Sequence, residues 1–200
     1  VTVFCATSNP GKLREFLLAA RRFAADQIRF QVLPGLASLP PCAESGSSFE
    51  ENAAQKALHY SSLASGLVLA DDSGLVVPAL DGEPGVRSAR FAGEGATDAD
   101  NNRLLLEKLA AAPDRRAIFV CVIALAEQGR LRATFRGEVA GLILHQPRGA
   151  GGFGYDPLFY YPPLSATFAE LSPEQKLQVS HRGVALRKMI DFLLAQASHP

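Results

Sequence analysis

Asp71 and Asp72 stand side by side at the end of the apolar run Leu67-Val68-Leu69-Ala70, and Ser73-Gly74 follows them. Two adjacent acids after a buried strand are unusual as plain surface. In an extended chain, neighbouring side chains point to opposite faces. One acid is therefore expected to face a site, with Asp72 the candidate, and Asp71 is expected to be structural. The pair Ser73-Gly74 reads as a turn that presents Asp72. Magnesium takes carboxylate, water and phosphate oxygens, and Glu44 and Glu51 are the acids nearby in sequence that could share such an ion.

Ala6-Thr7-Ser8-Asn9-Pro10-Gly11-Lys12 lies between a strand, 1–6, and a helix. Such a junction aims main-chain N–H groups and the positive helix end at one spot. Thr7, Ser8 and Asn9 add side-chain partners, and Lys12 adds a cation. The segment reads as a phosphate cradle, although the Walker pattern GxxxxGK[ST] is absent. A third segment, Gly151-Gly152-Phe153-Gly154-Tyr155-Asp156-Pro157, offers close main-chain approach and two flat rings, Phe153 and Tyr155, for a base. A fourth, Glu174-Gln175-Lys176 with Ser180-His181-Arg182-Gly183, supplies donors suited to an oxo group or a phosphate.

The elements that must position these groups alternate between strand and helix signals. After the first strand, Leu13, Phe16, Leu17, Ala20 and Ala24 share one helical face, with Asn9 as cap and Pro10 at the first helical position. Residues 28–33 read as a strand. Ser48 and Glu51 form a capping-box pattern that opens a helix ending before Gly66. Residues 67–70 read as a short strand. Thr97 caps a helix to about Ala112, and two long strands flank Gln128-Gly129 as a hairpin. Ser172-Pro173-x-Gln175 starts a short helix, and the last helix begins near His181 and buries Leu186, Met189, Ile190 and Leu193. The expected class is α/β: a single two-lobed domain over residues 1–200, built around a mixed, curved β-sheet with flanking helices and a central cleft.

The chain has 200 residues, with 20 Lys plus Arg balanced by 20 Asp plus Glu. That balance points away from a nucleic-acid partner. No apolar run reaches the ~18–20 residues of a membrane span, and the opening residues lack a secretion signal. Cys5, Cys42 and Cys121 have no metal spacing and read as reduced, buried thiols, so the expected location is the cytoplasm. His59, His145 and His199 form no motif.

ATSNPGKLREF, SFEENAAQKA, ADDSGLVVPALDGEPGVRSARFAG, GGFGYDPLF, TFAEL and EQKLQVSHRGVAL occur in the order seen in the inosine triphosphate pyrophosphatase family, the non-canonical purine NTP pyrophosphatases. The chain resembles that family from about residue 2 to residue 194. The resemblance implies a homodimer that requires Mg²⁺ and converts ITP, dITP or XTP to the monophosphate plus pyrophosphate. It implies that Thr7, Ser8, Asn9, Pro10, Gly11 and Lys12 hold the triphosphate. Asp72 is then the catalytic carboxylate or a metal ligand, with Glu44 as a second ligand and Ser73 on the substrate. Phe153, Gly154, Tyr155 and Asp156 wrap the nucleoside, and Lys176, His181 and Arg182 contact the base. Ser8 replaces a glycine common in the family, and Leu177 replaces a common asparagine. The rival readings are a Maf-type nucleotide pyrophosphatase, whose opening motif differs from ATSNPGK, and a non-catalytic nucleotide-binding protein, which would have no use for Asp72, Lys12 and Lys176 together.

Overall fold

The computed structural model describes residues 1–24 and 26–197; His199 lies outside them. Seven strands form one mixed sheet in the order β2-β1-β3-β4-β5-β6-β7. They are β1 (Thr2–Cys5), β2 (Arg29–Val32), β3 (Leu67–Val76), β4 (Arg116–Glu127), β5 (Arg130–Ile143), β6 (Phe159–Tyr161) and β7 (Ala166–Thr167). The helices are α1 (Pro10–Phe23), α2 (Phe49–Ser62), α3 (Asp98–Lys108), α4 (Pro173–Val179) and α5 (His181–Ala197). β1 pairs in parallel with both β2 and β3, as the early strand–helix alternation requires. β5, β6 and β7 pair antiparallel. The α/β class and the mixed sheet are as expected.

The chain falls into two compact units. The first comprises residues 1–72, 121–137 and 181–200. Its core holds Phe16, Ala19, Ala20 and Ala24 of the first helical segment, Cys5, Leu69, Cys121 and Ile123 from strands, and Leu186, Met189 and Ile190 of α5. Leu17 was expected on the buried face of α1 but is 36% exposed. The stripe centres on Phe16, Ala20 and Ala24, and Leu17 falls at its margin. Asn9 caps α1 as expected, accepting from the N–H groups of Gly11 and Lys12. α5 starts at His181 and buries Leu186, Met189, Ile190 and Leu193, also as expected.

The second unit comprises residues 73–120 and 138–180. Its core is aromatic: the Phe119 and Phe159 rings are 4.4 Å apart, and Phe159 and Phe168 are 4.8 Å apart. Offset and tilted ring pairs of this kind add to the area they bury. Thr97 caps α3 in a reciprocal capping box with Asp100, and Ser172 caps α4 in another with Gln175. α3 ends at Lys108, short of the expected Ala112.

The Gln128-Gly129 hairpin is present. Both residues have positive φ, 50° and 72°, the combination of the two-residue turn that matches strand twist. Three local expectations fail. β3 does not stop at Ala70 but continues through Asp71-Asp72-Ser73-Gly74 to Val76. Membership of the sheet, where β3 lies between β1 and β4 in the strand order, overrides the turn preference of Ser-Gly. Glu51 does not close a capping box. Ser48 accepts from the Glu51 N–H, but the Glu51 carboxylate turns to the N–H and hydroxyl of Ser47. Cys42 is half-exposed rather than buried; Cys5 and Cys121 are buried, and all three are free thiols.

Candidate active site

Because β3 continues through the acidic pair, Asp71 and Asp72 alternate and meet different partners. Asp71 is 3% exposed. The Lys12 ammonium lies 3.1 Å from it, the Arg182 Nε lies 3.4 Å away, and the Cys121 thiol is at 3.9 Å. Arg182, itself buried, forms a second ion pair with Glu15 of α1. Burial pushes the Asp71 carboxyl up, but Lys12, Arg182 and Lys56 outweigh it and hold it down at about 2. The same burial pushes the Cys121 thiol up to about 12, and Cys5 reaches about 12 for the same reason.

Asp72 faces α2. Asn52 Nδ2 donates to Asp72 Oδ2 at 3.1 Å. Asn52 Oδ1 accepts from the Gly46 N–H at 2.8 Å, so one side chain ties the loop before α2 to β3. Lys56, one turn further on, places its ammonium 3.1 Å from Glu44 Oε1 and 3.8 Å from Asp72 Oδ1. Burial raises the Asp72 carboxyl above its ordinary value, and Lys56 and the Asn52 hydrogen bond only partly oppose that. Burial lowers the Lys56 ammonium, but Asp71, Asp72 and Glu44 together raise it, so it stays charged. A carboxylate with a raised pKa beside a fixed cation can take a proton or hold a metal ion.

Asn52 and Lys56 were not picked out from sequence. They lie inside SFEENAAQKA, and their i, i+4 spacing puts both on the α2 face that also buries Ala53 and Ala57. A buried lysine on an otherwise alanine-lined face was the available signal. Glu51, a candidate partner for the ion, turns its carboxylate to Ser47 instead of to Asp72. Among the described residues, no group of three or more His, Cys, Asp or Glu side chains could hold a metal ion.

The loop from Thr7 to Lys12 is open at its outer side, with Ser8, Asn9 and Pro10 exposed. Thr7 Oγ1 accepts from the Asn9 N–H at 3.2 Å. The cradle differs from the sequence reading in one respect. The Gly11 and Lys12 N–H groups already donate to Asn9 Oδ1, at 2.8 and 3.1 Å, so the cap competes with an anion for them. Lys12 is the charge this loop contributes, and Asp71 fixes its position.

In the second unit, Asp156 organises the glycine-rich loop. It is 2% exposed; its Oδ2 accepts from the Phe153 N–H at 3.0 Å and from Lys176 Nζ at 2.5 Å. A Cβ on Gly152 would meet that oxygen at 2.1 Å, so only glycine fits there. Lys176 Nζ lies 4.7 Å from the centre of the Phe153 ring, which places a flat face and a cation together. Tyr155 does not offer a second face. Its ring is buried in the aromatic core, and its hydroxyl donates to the Ser88 carbonyl at 2.7 Å. Only its main chain remains to the loop. Arg182, grouped with Lys176 by sequence, spends donors on Asp71 and Glu15 instead. His181 is buried beside it.

Comparison with known proteins agrees with this architecture. The chain is 48% identical over 199 residues to a dITP/XTP pyrophosphatase of Acidobacterium capsulatum, covering 95% of this chain and 97% of that one. It is 48% identical over 190 residues to a dITP/XTP pyrophosphatase of Geobacter sulfurreducens, covering 94% of each. Among solved structures, the Staphylococcus aureus Ham1 protein superposes with a TM-score of 0.86 at 41% identity, covering 98% of this chain and all (100%) of that one. The Ham1 family pattern matches residues 3–192. The chain belongs to the Ham1 family.

Proposed function

We propose that this chain hydrolyses non-canonical purine nucleoside triphosphates, ITP, dITP and XTP, to the monophosphate and pyrophosphate. The observation that carries the reading is the division of labour between adjacent acids: Asp71 anchors the cation of the helix-start loop, while Asp72 faces Lys56, Glu44 and Asn52. On this reading the acid that anchors the phosphate-binding cation and the acid that activates water are neighbouring residues of one strand. The relatives named dITP/XTP pyrophosphatase support the substrate class.

In this mechanism Lys12, with Thr7, Ser8, Asn9, Pro10 and Gly11, receives the triphosphate, and Ser73 bonds to the substrate. Lys12 offsets the charge that develops on the leaving pyrophosphate. Asp72 takes the proton of the water that attacks the α-phosphorus, or orients that water, and its raised carboxyl suits it to the task. Enzymes of this family are metal-dependent, and Mg²⁺ is the ion we propose, held by Asp72 and Glu44. Two carboxylates that converge on one ammonium fit an ion that keeps waters and substrate oxygens. When bound, it lowers the pKa of water and neutralises phosphate oxygens.

The nucleoside is held by the Phe153 ring and by Gly154, Tyr155 and Asp156, the tyrosine through its main chain. Arg182 spends its donors on Asp71 and Glu15, while Lys176 and His181 supply donors to the base. A 6-oxo group accepts them, whereas the 6-amino group of adenine leaves a donor unmatched, at a cost of about 1–3 kcal/mol. The protein acts as a homodimer, as the resemblance implies, in the cytoplasm, to which its free thiols point, with residues 1–200 as one domain. Among the described residues no helix is long and apolar enough to cross a membrane.

The test is product analysis with ITP and Mg²⁺. IMP and pyrophosphate in equal amounts are expected, with activity abolished by a chelator. IDP and orthophosphate as first products would overturn the reading.

A further inference from the structure

Resting on the reading just given, we infer that Asp98 and Asn102 of α3 are positioning residues for base recognition: they clamp the Gly154 peptide and so set the pose of the Phe153 ring. Loop 151–154 borders a cavity of about 590 Å³, together with Leu106, Pro147 and Pro157, instead of lying flat on its neighbours. Side-chain packing therefore does not fix the loop on that side. Hydrogen bonds do. The Gly154 N–H donates to Asp98 Oδ2 at 2.7 Å, and the Gly154 carbonyl accepts from Asn102 Nδ2 at 2.9 Å. Asn102 Nδ2 also donates to the Asp98 carbonyl at 2.9 Å, which locks the two clamp residues to each other.

Both hydrogen-bonding groups of one residue are thus taken by one helical turn. Gly154 has φ +62° and no heavy atom within 4 Å of a Cβ position; its left-handed conformation, not crowding, is what the clamp holds. On the other side of Phe153, its own N–H is held by Asp156. The main chain is therefore pinned before and after the ring, and the ring stays 4.7 Å from the Lys176 ammonium. The first helical turn of α3 lends itself to this role, because the Thr97–Asp100 capping box fixes its geometry. Without the clamp, the ring would have to be ordered at the moment of binding, and the cost would appear in substrate affinity.

Steady-state kinetics with ITP, alongside inhibition by inorganic tripolyphosphate, tests this. Tripolyphosphate has no base and reports only on the phosphate-binding groups. Asn102→Ala and Asp98→Ala are each expected to raise KM for ITP about three- to tenfold, the size of one lost hydrogen bond, with kcat within about twofold, the signature of lost ground-state binding. The tripolyphosphate inhibition constant is expected to stay at the wild-type value. Asp98→Asn keeps an acceptor for the Gly154 N–H and is expected to restore KM to near wild type. Unchanged KM in both alanine variants would overturn the inference. So would equal losses toward ITP and tripolyphosphate, which indicate general damage, and so would an Asp98→Asn variant as impaired as Asp98→Ala. If the wild-type protein does not turn over ITP, the functional reading itself fails, and the inference falls with it.

Discussion

The Lys12 ammonium lies 3.1 Å from each carboxylate oxygen of Asp71. The lysine proposed to meet phosphate is thus held in place by an acid expected to be merely structural. Asp71→Asn should release Lys12 and remove one ion pair from Arg182. Breaking a buried pair by removing one partner costs about 3–5 kcal/mol. A lower melting temperature is expected, together with a higher KM for ITP and weaker inhibition by tripolyphosphate. Thermal denaturation and the tripolyphosphate inhibition constant check the two halves separately.

Asp72→Asn is expected to act differently. The amide keeps the size of the side chain and can still accept from Asn52, but it cannot take a proton and binds a metal ion poorly. Turnover should fall by about 10²–10⁴, with substrate still bound. Burial already disfavours the Asp72 charge, so its removal should leave the melting temperature level or raise it. Retention of more than a tenth of wild-type kcat at saturating Mg²⁺ would remove Asp72 from the chemistry.

Lys56→Met tests the cation between Glu44 and Asp72. Without it the two carboxylates lose their common counter-charge. The variant should melt lower than wild type in a chelator and recover more of that loss than wild type when Mg²⁺ is added, because a ligand that binds only the folded state stabilises it. Melting curves across a Mg²⁺ titration provide the check; equal Mg²⁺ responses in the two proteins would show that Lys56 does not share the ion's position.

The acid limb of stability should carry the mark of Asp71. Its carboxyl is held at about 2 against an ordinary 3.8. The unfolded chain therefore binds that proton more readily. The stabilisation is fully present above about pH 4 and is lost as pH falls through about 2. Asp72, with its raised carboxyl, works in the opposite sense and gains stability on protonation. Melting temperatures measured from pH 6 down to pH 2.5 should fall steeply for wild type below pH 4, and Asp71→Asn should flatten that fall.

Local patterns were legible wherever one residue type governs the outcome. Asn9 and Pro10 open α1, Thr97 and Ser172 cap their helices, and Gln128-Gly129 turns the hairpin. What depends on tertiary partners was not. Ser73-Gly74 reads as a turn, yet neighbouring strands carry β3 through it. Glu51 fits a capping box, but a nearby serine offered its carboxylate two donors. Tyr155 looks like a platform for a base because sequence cannot tell a ring in a loop from a ring beneath it. Lys56 and Asn52 were hidden for a related reason: their importance comes from facing Asp72 on a different element.

The thiols add a chemical consequence. Nucleotides are damaged under oxidising and nitrosating conditions, and an enzyme that clears them has to survive the same reagents. Oxidants attack thiolate, not thiol. Cys5 and Cys121 are sealed in the core with their pKa pushed to about 12, so at neutral pH they present almost no thiolate. Cys121 touches the carboxylate that anchors Lys12 and yet offers peroxide little thiolate. Oxidative wear on this protein should begin at the half-exposed Cys42 and spare Cys5 and Cys121.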